Sequence, residues 1–368
     1  FVGDLTNMET SFIFKEFLER SINNKKYDFR PTKRFIDNSK RENYLFNSQI
    51  NGIEKADLIF LIGTNPRFEA TMLNARIRKA YVSNNLKIIS LNDVGELTYD
   101  YQSLDGKTQT IKDIVDNKHK ISTEIINAKN PMIILGESFL KLNAASYLFN
   151  SFKEFLVNNK KFTEDWKPLN VLSVDASTVG NIDLDVIDQS NTILDDLGKN
   201  KFEIIFLVGQ DDLNFKKKDE FIIYLGSHGD KGAEIADLIL PGAAFTEQSG
   251  HYTNLEGKIQ KSYKASYPPG DAKEDWQIIN DLAEILNNRK LFNDKDELQS
   301  SMFNYLKIKL DQKDSDTIYK KNKDSFINEL LKVDFKDYYF SNVIARSSKT
   351  MLECNNSKLD FKKTGTEG

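Results

Sequence analysis

Two segments carry residue types that could do chemistry. The first is Gly63-Thr64-Asn65-Pro66-Arg67-Phe68-Glu69-Ala70, which follows an apolar run and opens a helical pattern. Glycine there frees the backbone for a tight turn, and backbone N–H groups at a helix start suit a phosphate. Arg67 would add a planar fork for phosphate or carboxylate. Neither G-x-G-x-x-G nor G-x-x-x-x-G-K-[ST] occurs, so no dinucleotide or P-loop fingerprint stands behind the segment. The alternative is a plain strand-to-helix turn with Arg67 in a structural ion pair. The second segment runs through His228-Gly229-Asp230-Lys231-Gly232-Ala233 and Leu240-Pro241-Gly242-Ala243-Ala244-Phe245-Thr246-Glu247 to Gly250-His251-Tyr252-Thr253-Asn254-Leu255-Glu256-Gly257-Lys258. His228 and His251 could act as acid/base groups, with Glu247 and Glu256 near in sequence. Their spacing matches no H-E-x-x-H ligand helix, and such loops also hold polar side chains in backbone hydrogen bonds.

Cys354 is the single cysteine among 368 residues. That excludes an intrachain disulfide and a cluster held by four thiolates of this chain. Three histidines (His119, His228, His251) argue against a His/Cys zinc site. Nothing beside Cys354 would depress its pKa, so a nucleophilic role is not indicated. Lys+Arg number 51 against 55 Asp+Glu, a net charge of −4, which makes no electrostatic case for nucleic acid or acidic lipid. The longest apolar runs, such as Leu58-Ile59-Phe60-Leu61-Ile62, are strand-sized, and a spanning helix needs ~20 apolar residues. No direct membrane span is therefore expected.

The elements that must position these residues repeat one unit: a short β-branched run ending in glycine or a small polar residue, then a helical pattern. Runs begin at Ala56, Leu86, Pro131, Leu169, Phe202, Phe221 and Ala236. Runs apolar on both faces are parallel strands covered by helices on both sides, and the intervals leave room for crossover helices. The spacing predicts a doubly wound α/β fold of mostly parallel sheets flanked by helices. Helices are predicted over 10–21, over 68–81 with Pro66 in the first turn, and over 273–288 with Trp276, Ile278, Ile279, Leu282 and Ile285 on one stripe. The polar stretch 159–168 suggests two α/β halves, 1–165 and 166–290, the second holding the Gly-rich loop segment. Residues 291–368 read as an irregular, Lys- and Asp-rich carboxyl-terminal extension, and the tail after Asn355 has little to bury.

Two sets of motifs carry a family resemblance. One is Gly3-Asp4-Leu5-Thr6, the Gly63–Ala70 segment, Leu73-Asn74-Ala75-Arg76-Ile77-Arg78-Lys79 and Leu97-Thr98-Tyr99. The other is His228–Ala233, Ala236-Asp237-Leu238-Ile239-Leu240-Pro241-Gly242-Ala243-Ala244 and Asn254–Lys258. In order and spacing they resemble the large iron–sulfur subunit of respiratory complex I, the proton-pumping NADH:ubiquinone oxidoreductase, from Gly3 to about Met351. The likeness is to its carboxyl-terminal part, which itself resembles molybdopterin-dependent oxidoreductases. It implies a structural, non-redox role in the peripheral arm, with no catalytic residue, metal or cofactor in this chain. Iron–sulfur clusters are expected in an amino-terminal part. The likeness further implies the other peripheral-arm subunits as partners, on the matrix side of the mitochondrial inner membrane or the cytoplasmic side of a bacterial membrane. Gly63, Asn65, Arg67, His228, Glu247 and Asn254 are then candidates for a vestigial pocket. His251 and Lys258 depart from the family pattern, and lysine loses the bidentate phosphate recognition of arginine.

The start at Phe1 leaves two arrangements open, a fragment of a longer chain or a subunit encoded in two pieces. In the second, a cluster-bearing polypeptide would dock where the helix Phe12 to Ile22 lies exposed. Two other readings compete with the complex I one. They are an active molybdopterin-dependent oxidoreductase with Arg67, His228, Glu247 and Asn254 lining its site, and a nucleotide-binding regulatory domain using the Gly63 turn.

Overall fold

In the computed structural model, which describes residues 1–314 and 325–363, the predicted runs become two parallel sheets. Strands β1 (Leu58–Ile62), β2 (Lys87–Ser90), β3 (Gln102–Ser103), β4 (Pro131–Leu135) and β5 (Leu169–Val171) form one sheet in the order β3-β2-β1-β4-β5. Every pairing in it is parallel. Phe60 and Ile62 point into a layer containing Phe149 and Phe152 of the helix Ala145–Asn158. Ile59 and Leu61 point the other way, toward Leu73 and Ile77 of the helix Thr71–Asn84. Burial on both faces is why β1 reads as an unbroken apolar run. The chain leaves β1 for β2 and β3, then returns to β4 on the other side of β1. The β1/β4 boundary is thus the topological switch point, where open α/β sheets place ligands.

The second sheet holds β6 (Ile204–Val208), β7 (Phe221–Gly226) and β8 (Leu238–Pro241), again parallel. Strands β9 (Gly250–Thr253) and β10 (Ile259–Ser262) pair antiparallel as a hairpin. The fold is thus the α/β architecture of parallel sheets flanked by helices that the sequence predicts.

Several expectations need correction. The division near residue 165 falls ahead of β5, which closes the edge of the first sheet, while Val2 pairs with Val208 in the second. The chain's beginning therefore packs with its second half. The helix starting at the Asn7 cap, Met8–Arg20, is not exposed: Met8 through Leu18 are all buried. Its cover comes from the stretch expected to be irregular, which carries the helix Lys295–Asp314, and from the helix Asp275–Asn287. Leu298, Met302 and Leu306, four residues apart, make a narrow stripe buried in the same core as Phe12, whose ring also meets Tyr305. Ile285 lies off the buried stripe of Asp275–Asn287 and is 75% exposed. The helix predicted over 68–81 is broken at Ala70, so that Pro66–Glu69 and Thr71–Asn84 are separate. Exposed Cys354 sits in a last helix, Lys349–Lys363, and residues 364–368 lie outside the described residues.

Candidate functional site

At the switch point the turns after β1 and β4 interlock. Gly63 has φ +70°, and a Cβ there would lie 2.3 Å from the Phe139 amide nitrogen. A Cβ on Gly136 would lie 2.4 Å from the Gly63 carbonyl oxygen. The close backbone approach that a phosphate would need is thus taken by the neighbouring loop. Asn65, buried, caps the helix Pro66–Glu69: its Oδ1 accepts the Arg67 N–H at 3.1 Å, and its Nδ2 donates to the Val94 carbonyl at 2.8 Å. Arg67 turns outward, donating to the Glu96 carbonyl at 3.0 Å and pairing with the Glu96 carboxylate.

The second segment is structural in the same sense. Ser227 and the His228 ring are hydrogen-bonded at 2.9 Å, and Tyr224 donates to the His228 carbonyl at 3.1 Å. Glu247 accepts the Ala244 N–H at 3.0 Å. Asn254 Oδ1 accepts from Glu256 N and Lys258 N, which tightens the β9–β10 hairpin. His251 is held by Glu9, with Nδ1 2.6 Å from Oε1 and its N–H donating to Oε2 at 2.8 Å. Gln299 donates to the same carboxylate, so this pair joins the hairpin to the helices Met8–Arg20 and Lys295–Asp314.

A cleft of about 710 Å³ opens nearby, at the carboxyl edge of the first sheet. None of Gly63, Asn65, Arg67, His228, Glu247 and Asn254 lines it, though Phe68, Glu69 and Leu255 beside them do. Its charged lining is Asp4, Glu69, Glu137, Asp175, Asp212 and Asp334 against Arg34, Arg76, Lys141 and Lys336. Sequence reasoning singled out none of these as site residues, apart from quoting Asp4, Glu69 and Arg76 within motifs. Lys336 arrives on a strap from the carboxyl-terminal region. Its ammonium lies 2.6 Å from Asp212, 3.5 Å from Asp175 and 3.6 Å from Asp4. Burial works against that charge, but the three carboxylates hold its pKa above the usual lysine value. The strap is pinned beside Lys336 by Phe335, stacked on Phe68 at 4.8 Å, and by Asp334, whose N–H donates to Ser138 Oγ at 2.9 Å.

Burial pushes the Asp4 carboxyl up to about 6, against the pull of Lys336, and the Glu69 carboxyl up to about 7. Glu69 nevertheless accepts both the Thr64 hydroxyl and the Asn65 N–H at 2.6 Å. A carboxyl with a raised folded-state pKa contributes stability that is full below its unfolded pKa and is lost as pH rises through the folded value. Stability is therefore expected to fall between about pH 4.5 and 7, by roughly 3 kcal/mol on account of Glu69. Glu69→Gln keeps an acceptor for both donors and should flatten that slope. Urea unfolding of both proteins at pH 5 and pH 8 measures it, and identical slopes would refute the assignment.

The comparisons fit this architecture. The family model described as molybdopterin oxidoreductase matches residues 1–285, so the chain belongs to that family. A second model, for the carboxyl-terminal part of the NADH-ubiquinone oxidoreductase G subunit, matches residues 299–354. Among relatives, the NADH-ubiquinone oxidoreductase 75 kDa subunit of Reclinomonas americana is 33% identical over 375 residues, covering 96% of this chain and 54% of the relative. The 78 kDa mitochondrial subunit of Candida albicans is 36% identical over 334 residues, covering 85% and 45%. The NADH-quinone oxidoreductase G subunit of Rickettsia bellii is 35% identical over 373 residues, covering 99% and 53%. The chain thus matches the large complex I subunit that its motifs resemble, and it spans about half the length of the curated relatives it matches.

The family name implies a molybdopterin, and these residues do not fit one. A phosphate-bearing cofactor needs backbone donors and cations at the switch point. Here Gly63 is blocked by Phe139, Arg67 faces away to Glu96, and the cleft holds six carboxylates against four cations. Among the described residues no group of three or more His, Cys, Asp or Glu is placed to hold a metal ion, and no helix is long and apolar enough to cross a membrane.

Proposed function

We propose that this chain is a non-redox, structural portion of the peripheral arm of an NADH:ubiquinone oxidoreductase. It buttresses the cluster-bearing part of the large subunit while that part carries electrons from NADH toward ubiquinone, coupled to proton pumping. The observation that carries the reading is the chain's own strap across the cleft, which commits Lys336 to three carboxylates of this chain. The partners are the other peripheral-arm subunits and the amino-terminal, cluster-bearing portion, whether on the same polypeptide or a second one. The location is the matrix side of the mitochondrial inner membrane, or the cytoplasmic side in a bacterium.

The test is native electrophoresis of detergent-solubilised membranes with in-gel NADH dehydrogenase staining, followed by mass spectrometry and metal analysis of the active band. The chain should co-migrate with the activity, with iron present and no molybdenum or tungsten in stoichiometric amount. A free monomer, or one molybdenum or tungsten per chain, overturns the proposal.

A further inference from the structure

The outer edge of β6 is only half used. Val208 donates to the Phe1 carbonyl and its own carbonyl accepts Gly3 N–H, both at 2.8 Å, while the Phe1 amine donates to the Phe206 carbonyl at 2.6 Å. On its other side β6 meets β7 through odd-numbered residues: Phe221 N–H donates to Glu203 and Gly209 N–H to Leu225. Peptide groups alternate sides along a strand, so those of Ile204, Phe206 and Val208 face the Phe1 side. Phe1–Gly3 serves Val208 and the Phe206 carbonyl. The Phe206 N–H and both peptide groups of Ile204 point past Phe1, onto an edge that Phe1–Gly3 does not reach.

Beside that edge lies an apolar groove of about 550 Å³. Its floor includes Phe206 and Leu282, and its walls include Ile22, Ile204, Ile285 and Leu286, which are 40%, 54%, 75% and 58% exposed. Exposed apolar side chains gathered around unpaired strand edge groups mark a surface built to be covered. A small apolar ligand would satisfy the groove but not the peptide groups. An extended polypeptide satisfies both, through a main-chain ladder and alternate side chains.

We propose that this half-edge and groove take an extended segment that adds to β6 in parallel, in line with Phe1–Gly3, and that the segment belongs to the amino-terminal portion of the large subunit. The source follows from the relatives. The model for the carboxyl-terminal part of the G subunit matches at 299–354, and the relatives are about twice as long, so their additional length lies on the amino-terminal side. In parallel pairing, partnered side chains share a face. The added strand is therefore apolar opposite Phe206 and Ile204, which puts those two side chains over the groove. This inference rests on the functional reading above.

Lys26 and Lys201 stand at the rim and allow a test without mutation. The intact complex is treated with an amine-reactive diazirine linker, photolysed and digested, and the cross-linked peptides are sequenced by mass spectrometry. The expected result is adducts from Lys26 and Lys201 to one stretch of the amino-terminal portion with apolar residues at alternate positions. Lys79, exposed on the helix Thr71–Asn84 that packs on the first sheet, should give no adduct to that stretch. Adducts from the rim to a different subunit, to a second copy of this chain, or to no other segment overturn the proposal. Peptides of this chain in the same digest report whether it resides in the complex, so failure here is distinguishable from failure of the functional reading.

Discussion

Gly63→Ala is expected to destabilise the protein by about 2–5 kcal/mol, combining a left-handed backbone cost of ~1–2 kcal/mol with an overpacking cost of ~1–3 kcal/mol. The residue has φ +70°, and its missing side chain would strike the Phe139 backbone at 2.3 Å and the Phe139 Cβ at 2.8 Å. Neither neighbour is the free end of a flexible side chain, so relief requires the β1 and β4 turns to separate. Gly95→Ala is the natural control, because Gly95 has φ +79° with nothing within 4 Å of the added Cβ. It should cost only the backbone share, ~1–2 kcal/mol. Urea unfolding followed through Trp166, buried in the first sheet's helix-covered layer, reads both variants. Equal costs would mean that the turns are not interlocked, and would reopen the switch point as a place for a phosphate to approach.

That comparison also bears on what the sequence could and could not disclose. Strands β1 and β4 were legible because burial on two faces leaves an unbroken apolar run. Strands β2 and β5 to β8 keep enough apolar residues to show, although Ile204, Phe221, Leu238 and Ile239 are exposed. Strand β3, two residues long, has none. The hairpin β9–β10 was hidden because its buried and exposed residues do not alternate along β10, where Gln260 and Lys261 are both exposed, and because its glycines look like loop. The helix Lys295–Asp314 was hidden for a related reason. It buries only one residue per turn, and a stripe that narrow is submerged in lysine and aspartate.

The site was legible only where chemistry is local in the chain. The Gly63 turn was found at the right element, because glycine, the Asn65 cap and Pro66 act within four residues. The charged groups that line the cleft come from segments with no spacing in common. Lys336 reaches Asp4, Asp175 and Asp212 across more than a hundred residues each, and Arg34 meets Glu137 across 103. Ion clusters built by tertiary folding leave no periodic trace. The same distance effect explains why a polar stretch at 159–168 suggested a division that the strand order does not follow.

Arg34 and Glu137 give the second large effect. The pair is buried, with side chains 5% and 10% exposed, and it joins the segment after Phe29 to the turn after β4. Arg34 also lies over the Phe29 ring at 5.3 Å. Burial works against the guanidinium charge, but Glu137 holds its pKa above the ordinary value. Arg34→Met should destabilise by about 3–5 kcal/mol, because it strands a carboxylate away from water without its partner. Glu137→Leu should cost a similar amount by stranding the cation. The pair is imperfectly satisfied, since Arg34 Nε and Glu137 Oε1 are buried without a hydrogen bond. Removing both charges in Arg34→Met/Glu137→Leu therefore removes two desolvated ions and two orphaned polar atoms together. The double variant is expected to be more stable than either single one, with a coupling of at least ~2 kcal/mol in the cycle. Raising the salt concentration should change the coupling little, because buried charges are weakly screened. Additive single effects, or a coupling that salt erases, would show instead that the two side chains are solvated and that the cleft floor is open to water.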